Sequence, residues 1–153
     1  MKWLELKVPP VLLFGLLAAA MYGVARALSA WTIALPGRAV TAVTLAATGL
    51  AIGLAGVAAF RRNRTTVNPH TPDRSSSVVT EGAYRWTRNP MYLGLLCGLL
   101  AWAIYLANPS ALLGLPAFVA WMNRFQIGPE ERVLAVKFGP AYASYRDHVR
   151  RWL

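Results

Sequence analysis

Two short clusters carry residue types suited to holding a charged ligand, and each sits where an apolar run meets a polar one. The first is Arg88-Asn89-Pro90-Met91-Tyr92. Asn is a favoured N-cap and Pro suits the first helical position, so a helix is predicted to start here. Its unpaired backbone N–H groups and positive end would then face Arg88. An arginine beside such a helix end can receive a carboxylate, and Tyr92 can flank the apolar part of the same ligand. The same residues also describe an ordinary helix start with an interfacial Arg and Tyr. The second cluster is Glu130-Glu131, directly after Gly128-Pro129. Acidic residues in a first turn complement the helix dipole without any ligand. Near Arg124 they can also hold an ammonium group or ribose hydroxyls.

The elements that position these clusters are apolar. Residues 8–25, 39–60, 91–108 and 110–123 form four runs without a charge. A bilayer span needs about 20 predominantly apolar residues. The second run meets that outright, the first and third lie near the lower limit, and the fourth must extend through Arg124 to Ile127. Pro36-Gly37 turns the chain between the first two runs, and Asn108-Pro109 leaves almost no loop between the last two, which predicts a tight helical hairpin. Gly128-Pro129 is predicted to break the fourth span. Beyond it Leu134, Phe138, Tyr142, Tyr145, Val149 and Trp152 recur at three- and four-residue intervals, as in an amphipathic helix interrupted at Gly139-Pro140. Gly49 and Gly53, and again Gly94 and Gly98, are spaced to let helix backbones approach closely. The expected fold is an all-α integral membrane bundle of about four transmembrane helices with a C-terminal amphipathic segment. It forms one domain over residues 1–153, with two N-terminal spans in 1–60 and the ligand-binding core in 61–153. Residues 65–77, rich in Pro and Ser, read as an irregular loop.

Composition agrees with this class. The chain is 56% hydrophobic and only 14% charged, against roughly 25% charged in an average soluble domain. A net charge of +10 would suit nucleic acid in a polar chain. In this one the basic residues mark loops at an anionic lipid surface, so nucleic acid is not an expected partner. With four spans, every Lys and Arg except Arg26 and Arg38 falls on the same face. The positive-inside rule makes that face cytoplasmic and places both termini there, as expected in a bacterial inner membrane. A cleaved signal peptide, with Lys2 and Lys7 as its basic region and Ala27-Leu28-Ser29 as its cleavage site, competes for the first run. That run is longer than a usual signal core, and removing it would spoil the charge parity. Lipidation signals are absent. Cys97 has no partner for a disulfide, and His70 and His148 lie far apart, so no metal site is expected.

The polar segments carry a family resemblance. Val78-Val79-Thr80-Glu81-Gly82-Ala83-Tyr84-Arg85, followed by Arg88-Asn89-Pro90-Met91-Tyr92-Leu93-Gly94, resembles the central signature of the isoprenylcysteine carboxyl methyltransferase and phospholipid methyltransferase superfamily. Glu130-Glu131, Leu134, Phe138-Gly139, Tyr142 and Tyr145 resemble its C-terminal signature. The resemblance covers roughly residues 60 to 153 and adds nothing for the first two spans. It implies a pocket for S-adenosyl-L-methionine and methyl transfer to a lipophilic acceptor. By the same resemblance Val79, Gly82 and Tyr84 shape the cofactor site. Arg88, Asn89 and Tyr92 contact its amino-acid end, and Glu130 and Glu131 hold its polar groups or order Arg88. Arg88 and Glu131 are the residues expected to serve catalysis. Asn89 departs from the pattern, because many relatives have histidine in this Arg-x-Pro motif, and asparagine can only hydrogen-bond.

The acceptor's reacting group is not resolved by the sequence. A carboxylate would need no base, whereas an amine would need deprotonation, for which Glu131 is a candidate. Two other classes compete: a nicotinamide-dependent membrane reductase sharing this cofactor-binding end, and a non-catalytic membrane scaffold subunit. No added glycine-rich phosphate motif supports the reductase. Oligomeric state is not legible.

Overall fold

The computed structural model describes residues 4–62 and 78–153; the predicted irregular loop over 65–77 lies outside the described residues. Among these residues the fold is all-α, with no β-strand. Helix α1 spans Pro10–Ala27, α2 Arg38–Arg62, α3 Pro90–Leu106, α4 Gly114–Trp121 and α5 Gly128–His148. Helices α1 and α2 are long and apolar enough to cross a membrane, whereas α3 is a shorter apolar helix of 17 residues. Only 22% of the apolar window in α1 and 17% of that in α2 is buried inside the protein. A core helix of a soluble protein would be mostly covered. Here Val11, Leu16, Val40, Val43 and Leu50 are exposed instead, and so large an uncovered apolar surface needs an apolar surrounding.

Helix α2 packs mainly on α3, and two glycines set their separation. A Cβ on Gly94 would lie 2.5 Å from the Gly49 carbonyl oxygen, and one on Gly49 would lie 2.7 Å from the Gly94 carbonyl oxygen. The expected close approach is therefore found at Gly49 and Gly94. Gly53 supplies only its backbone, and Gly98 faces the Phe14 ring of α1. Gly94→Ala is expected to force the helices apart and destabilise by about 1–3 kcal/mol. Gly53→Ala meets nothing within 4 Å and gains helix propensity, up to about 1 kcal/mol. Thermal unfolding in detergent checks the pair, and equal melting temperatures would contradict the contact.

The hairpin between α3 and α4 closes as expected. Ala107 takes a left-handed conformation (φ 50°), and Asn108 follows. The Asn108 side chain accepts from the Ser110 N–H at 3.1 Å and donates to the Leu28 carbonyl at 2.9 Å. It thus ties the hairpin to the end of α1.

The break expected at Gly128-Pro129 does not occur. Helix α4 continues through a π-helical segment, Met122–Ile127, directly into α5. The Gly128 N–H bonds the Asn123 carbonyl, and a Cβ on Gly128 would crowd that oxygen at 2.9 Å. Pro129 has no N–H for the carbonyl one turn earlier, that of Phe125. The Leu6 N–H fills that place at 2.9 Å. Glu5 adds ion pairs to Arg124 and Arg132, docking the segment before α1 on this continuous helix. The interruption at Gly139-Pro140 is real: Gly139 leaves helical geometry at φ 50° and ψ −125°.

Candidate active site at the start of α3

The chain approaches α3 through Val79, which is buried, and a 3-10 turn over Gly82–Arg85. Gly82 is exposed at φ 61°, and a Cβ there would touch nothing within 4 Å, so it shapes the turn through its backbone. Tyr84 is buried edge-on against Phe60 of α2, with Val79, Ala59 and Tyr145 around it. The Tyr145 hydroxyl donates to the Tyr84 carbonyl at 2.8 Å, clipping this turn to α5. Burial raises the Tyr84 phenol far above its usual range, with Tyr145 and Glu130 adding to the effect.

Asn89 occupies the N-cap position but does not cap α3 with its side chain. Its Nδ2 donates to the Arg151 carbonyl at 2.9 Å, and its own N–H donates to the Thr87 hydroxyl. Thr87 Oγ1 also donates to the Arg151 carbonyl, and the Arg88 N–H to the Arg150 carbonyl. Residues 149–151 therefore lie as an extended strap across the start of α3. Its far end is pinned where Trp152 Nε1 donates to Asn123 Oδ1 at 3.0 Å.

Arg88 is built into the same join. Nη1 donates to the carbonyls of Arg146 and Val149, and Nη2 to Glu131 Oε1 at 2.9 Å. Arg88 Nε is buried and has no hydrogen-bond partner among the described residues. Glu131 also receives Arg151, through Nε on Oε1 at 3.1 Å and through Nη2 on Oε2. One carboxylate thus lies between two guanidinium groups and joins the start of α3, the start of α5 and the strap.

Glu130 is in a different setting. Tyr92, buried one turn into α3, donates its hydroxyl to Glu130 Oε1 at 2.7 Å, and Gln126 Nε2 donates to the same oxygen at 2.6 Å. Burial, with a smaller push from neighbouring Glu131, raises the Glu130 carboxyl to about 7 despite the lowering effect of the Tyr92 and Gln126 hydrogen bonds. A carboxyl poised there exchanges protons near neutrality. Tyr142 is buried nearby, its hydroxyl pushed up to about 12 by burial and by Glu131.

The eight residues singled out from the sequence fall into three groups. Arg88, Asn89 and Glu131 meet in one hydrogen-bonded join, Tyr92 and Glu130 form a second, and Val79 and Tyr84 pack in a third, with Gly82 on the surface beside it. Sequence reasoning missed Gln126, Arg151 and Asn123. Gln126 precedes Glu130 by four residues, a spacing that places both on one helix face. Arg151 gave no such signal, because its partner lies 20 residues away across a kinked helix.

Comparison with known proteins bears on this arrangement. The family model of phospholipid methyltransferases matches residues 37–141, from the turn before α2 into α5. It spans the start of α3 and both glutamates, and ends before Tyr142 and the strap. An uncharacterized protein of Haemophilus influenzae is 51% identical over 63 residues, which cover 41% of this chain and all of that protein. No solved structure matches the chain.

Proposed function

The chain belongs to the phospholipid methyltransferase family, and we propose that it transfers a methyl group from S-adenosyl-L-methionine to a lipophilic acceptor embedded in the membrane. The observation that carries this reading is the division of labour between adjacent carboxylates. Glu131 is neutralised between Arg88 and Arg151, while Glu130 is held by a phenol and an amide and titrates near neutrality. Neighbouring acids pushed into different roles are a mark of acid–base sites.

The residues fit the cofactor. Arg88 Nε is a buried cationic donor with no partner among the described residues, suited to the cofactor's carboxylate. By the family resemblance, Val79, Gly82 and Tyr84 would shape the rest of the cofactor site. When bound, the cofactor supplies a methyl group already activated by its sulfonium. The protein's task is then to orient the reactants and exclude water. Arg88 and Glu131 fix the strap and the start of α3. Asn89, whose amide is committed to the Arg151 carbonyl, orients the strap and moves no proton. Glu130, positioned by Tyr92 and Gln126, takes a proton from an acceptor amine. In this reading the acceptor is an amine rather than a carboxylate, which needs no base, and Glu130 rather than Glu131 serves as the base.

In this reading α1, α2, α3 and the continuous 109–127 segment form four spans, with both termini and the site on the cytoplasmic side. In a Cys97→Ala background, Glu81→Cys is expected to react with an impermeant thiol reagent only after cell lysis. Labelling of intact cells from outside would reverse the topology. The cofactor assignment is tested by thermal unfolding in detergent with S-adenosylhomocysteine, with NADPH, or with neither. Stabilisation by the first alone is expected. Stabilisation by NADPH alone would favour a reductase, and by neither a scaffold.

A further inference from the structure

A second feature lies at the opposite end of α3 from the glutamates. Helices α1 and α2 both pack on α3 but scarcely on each other, so a groove runs between them with α3 as its floor. Gly98, Ala101 and Trp102 form the floor, Phe14 and Ala18 one wall, and Ala42 and Ala46 the other, of an open groove of about 470 Å³. That falls within the roughly 300–1,000 Å³ of small-ligand pockets. Small side chains on three helices create the space. Trp102 Nε1 already donates to the Ala18 carbonyl at 3.0 Å, so it offers nothing to a polar guest. A buried water needs two to four polar partners, and this lining does not supply them.

The mouth of the groove is cationic. Tyr105 lines its outer end and stacks on Trp102 at 5.6 Å. The Arg38 guanidinium sits over the Tyr105 ring at 5.8 Å. Arg38 is the first residue of α2 and is exposed, and among the described residues no carboxylate pairs with it. The sequence holds no Asp or Glu between Glu5 and Asp73, so this end of the molecule is basic and lacks acid. A second copy of the chain would bring the same basic end and could not neutralise Arg38.

We propose that this groove holds one acyl chain of a bilayer phospholipid whose anionic headgroup pairs with Arg38. The ligand class follows from the two parts together: an apolar channel for hydrocarbon, and a cation at its mouth for phosphate. Gly98 lies eight residues beyond the first residue of α3, about 12 Å along the helix, and Arg38 lies beyond the far end of the groove, so this lipid is distinct from the methyl acceptor. The proposal rests on the reading that α1 to α3 lie in a bilayer, and does not depend on methyl transfer.

Native mass spectrometry of the full chain in mild detergent, titrated with dioleoyl phosphatidylglycerol or with dioleoyl phosphatidylcholine, tests it. One tightly retained phosphatidylglycerol per chain is expected, bound in preference to phosphatidylcholine. Ala46→Trp fills the groove and should abolish retention, whereas Ala51→Trp, exposed on α2 outside the groove, should not. Arg38→Gln should weaken phosphatidylglycerol about fivefold, the usual worth of one basic residue against an anionic lipid, and leave phosphatidylcholine unchanged. If Ala46→Trp fails to fold, the Arg38→Gln headgroup comparison still decides. Equal phosphatidylglycerol retention by wild type and Ala46→Trp, or no headgroup preference in wild type, overturns the proposal. So does a dimer dispersed by Ala46→Trp without loss of lipid, which would assign the groove to a second copy. Methyl transfer measured alongside separates the two readings, because lipid retention is expected whether or not the protein turns over.

Discussion

Glu131→Gln is expected to cost this protein both stability and turnover, because one carboxylate is shared by two guanidinium groups. Its side chain is 16% exposed, and those of Arg88 and Arg151 are 11% and 36% exposed. Removing one partner of a fully buried pair costs roughly 3–5 kcal/mol, since the remaining charge stays buried and unpaired. The exposure of Arg151 lowers the expectation here to about 2–4 kcal/mol. A glutamine can still accept one hydrogen bond, but cannot neutralise two cations. The strap held by Arg88 and Arg151 should loosen, and S-adenosylhomocysteine affinity should fall by at least about tenfold. Glu81→Gln, an exposed carboxylate, serves as control and should stay within about 0.5 kcal/mol of wild type. Unfolding temperature and calorimetric titration read both effects. An unchanged melting temperature with unchanged affinity would make the two-arginine join ornamental.

Glu130→Gln is expected to change the pH dependence. In the folded protein this carboxyl is raised from 4.5 to about 7, so the neutral form is favoured. Between those values the folded state holds a proton that the unfolded state has released. Stability from this group is therefore fully present below about 4.5, falls as pH rises, and is lost above about 7. The shift corresponds to about 3 kcal/mol. Glutamine is permanently neutral, and its oxygen can still accept from Tyr92 and Gln126. The variant should therefore match wild type at acid pH and exceed its stability at pH 8. Its methyl transfer to an amine should lose the rise through about pH 7 that wild type shows. Parallel melting curves from pH 5 to 8 check the first outcome, and a pH–rate profile checks the second. Parallel pH dependences in the two proteins would show that Glu130 does not titrate in the working range.

Much of the scaffold was legible, because hydrophobic runs, glycine spacing and proline positions are local signals. The start of α3 at Pro90, the hairpin at Asn108-Pro109 and the close approach at Gly49 and Gly94 all follow from such signals. Gly128-Pro129 misled because the carbonyl that Pro129 leaves open is satisfied by Leu6, more than a hundred residues earlier. Once that acceptor is filled, proline need not end the helix. The resemblance offered two roles for Glu130 and Glu131, holding the cofactor's polar groups or ordering Arg88; Glu131 bonds Arg88 while Glu130 bonds Tyr92. The strap was not anticipated, because its contacts to Thr87, Arg88 and Asn89 run through backbone carbonyls. Every residue has such a carbonyl, so no residue type announces it. Gln126 was overlooked although its spacing of four from Glu130 is a local signal: a glutamine at the end of an apolar run carries no charge to mark it.

The central claim is methyl transfer from S-adenosylmethionine to a lipophilic acceptor at the start of α3. It is tested most directly by incubating the purified protein, reconstituted in lipid vesicles, with cofactor labelled in its methyl group. Organic extraction then separates lipid from aqueous products. The account predicts label in the lipid fraction, dependent on protein and greatly reduced in Glu130→Gln and Glu131→Gln. No label in the lipid fraction from correctly folded protein supplied with membrane-extracted lipids, or label only in water-soluble products formed equally well without lipid, would contradict it.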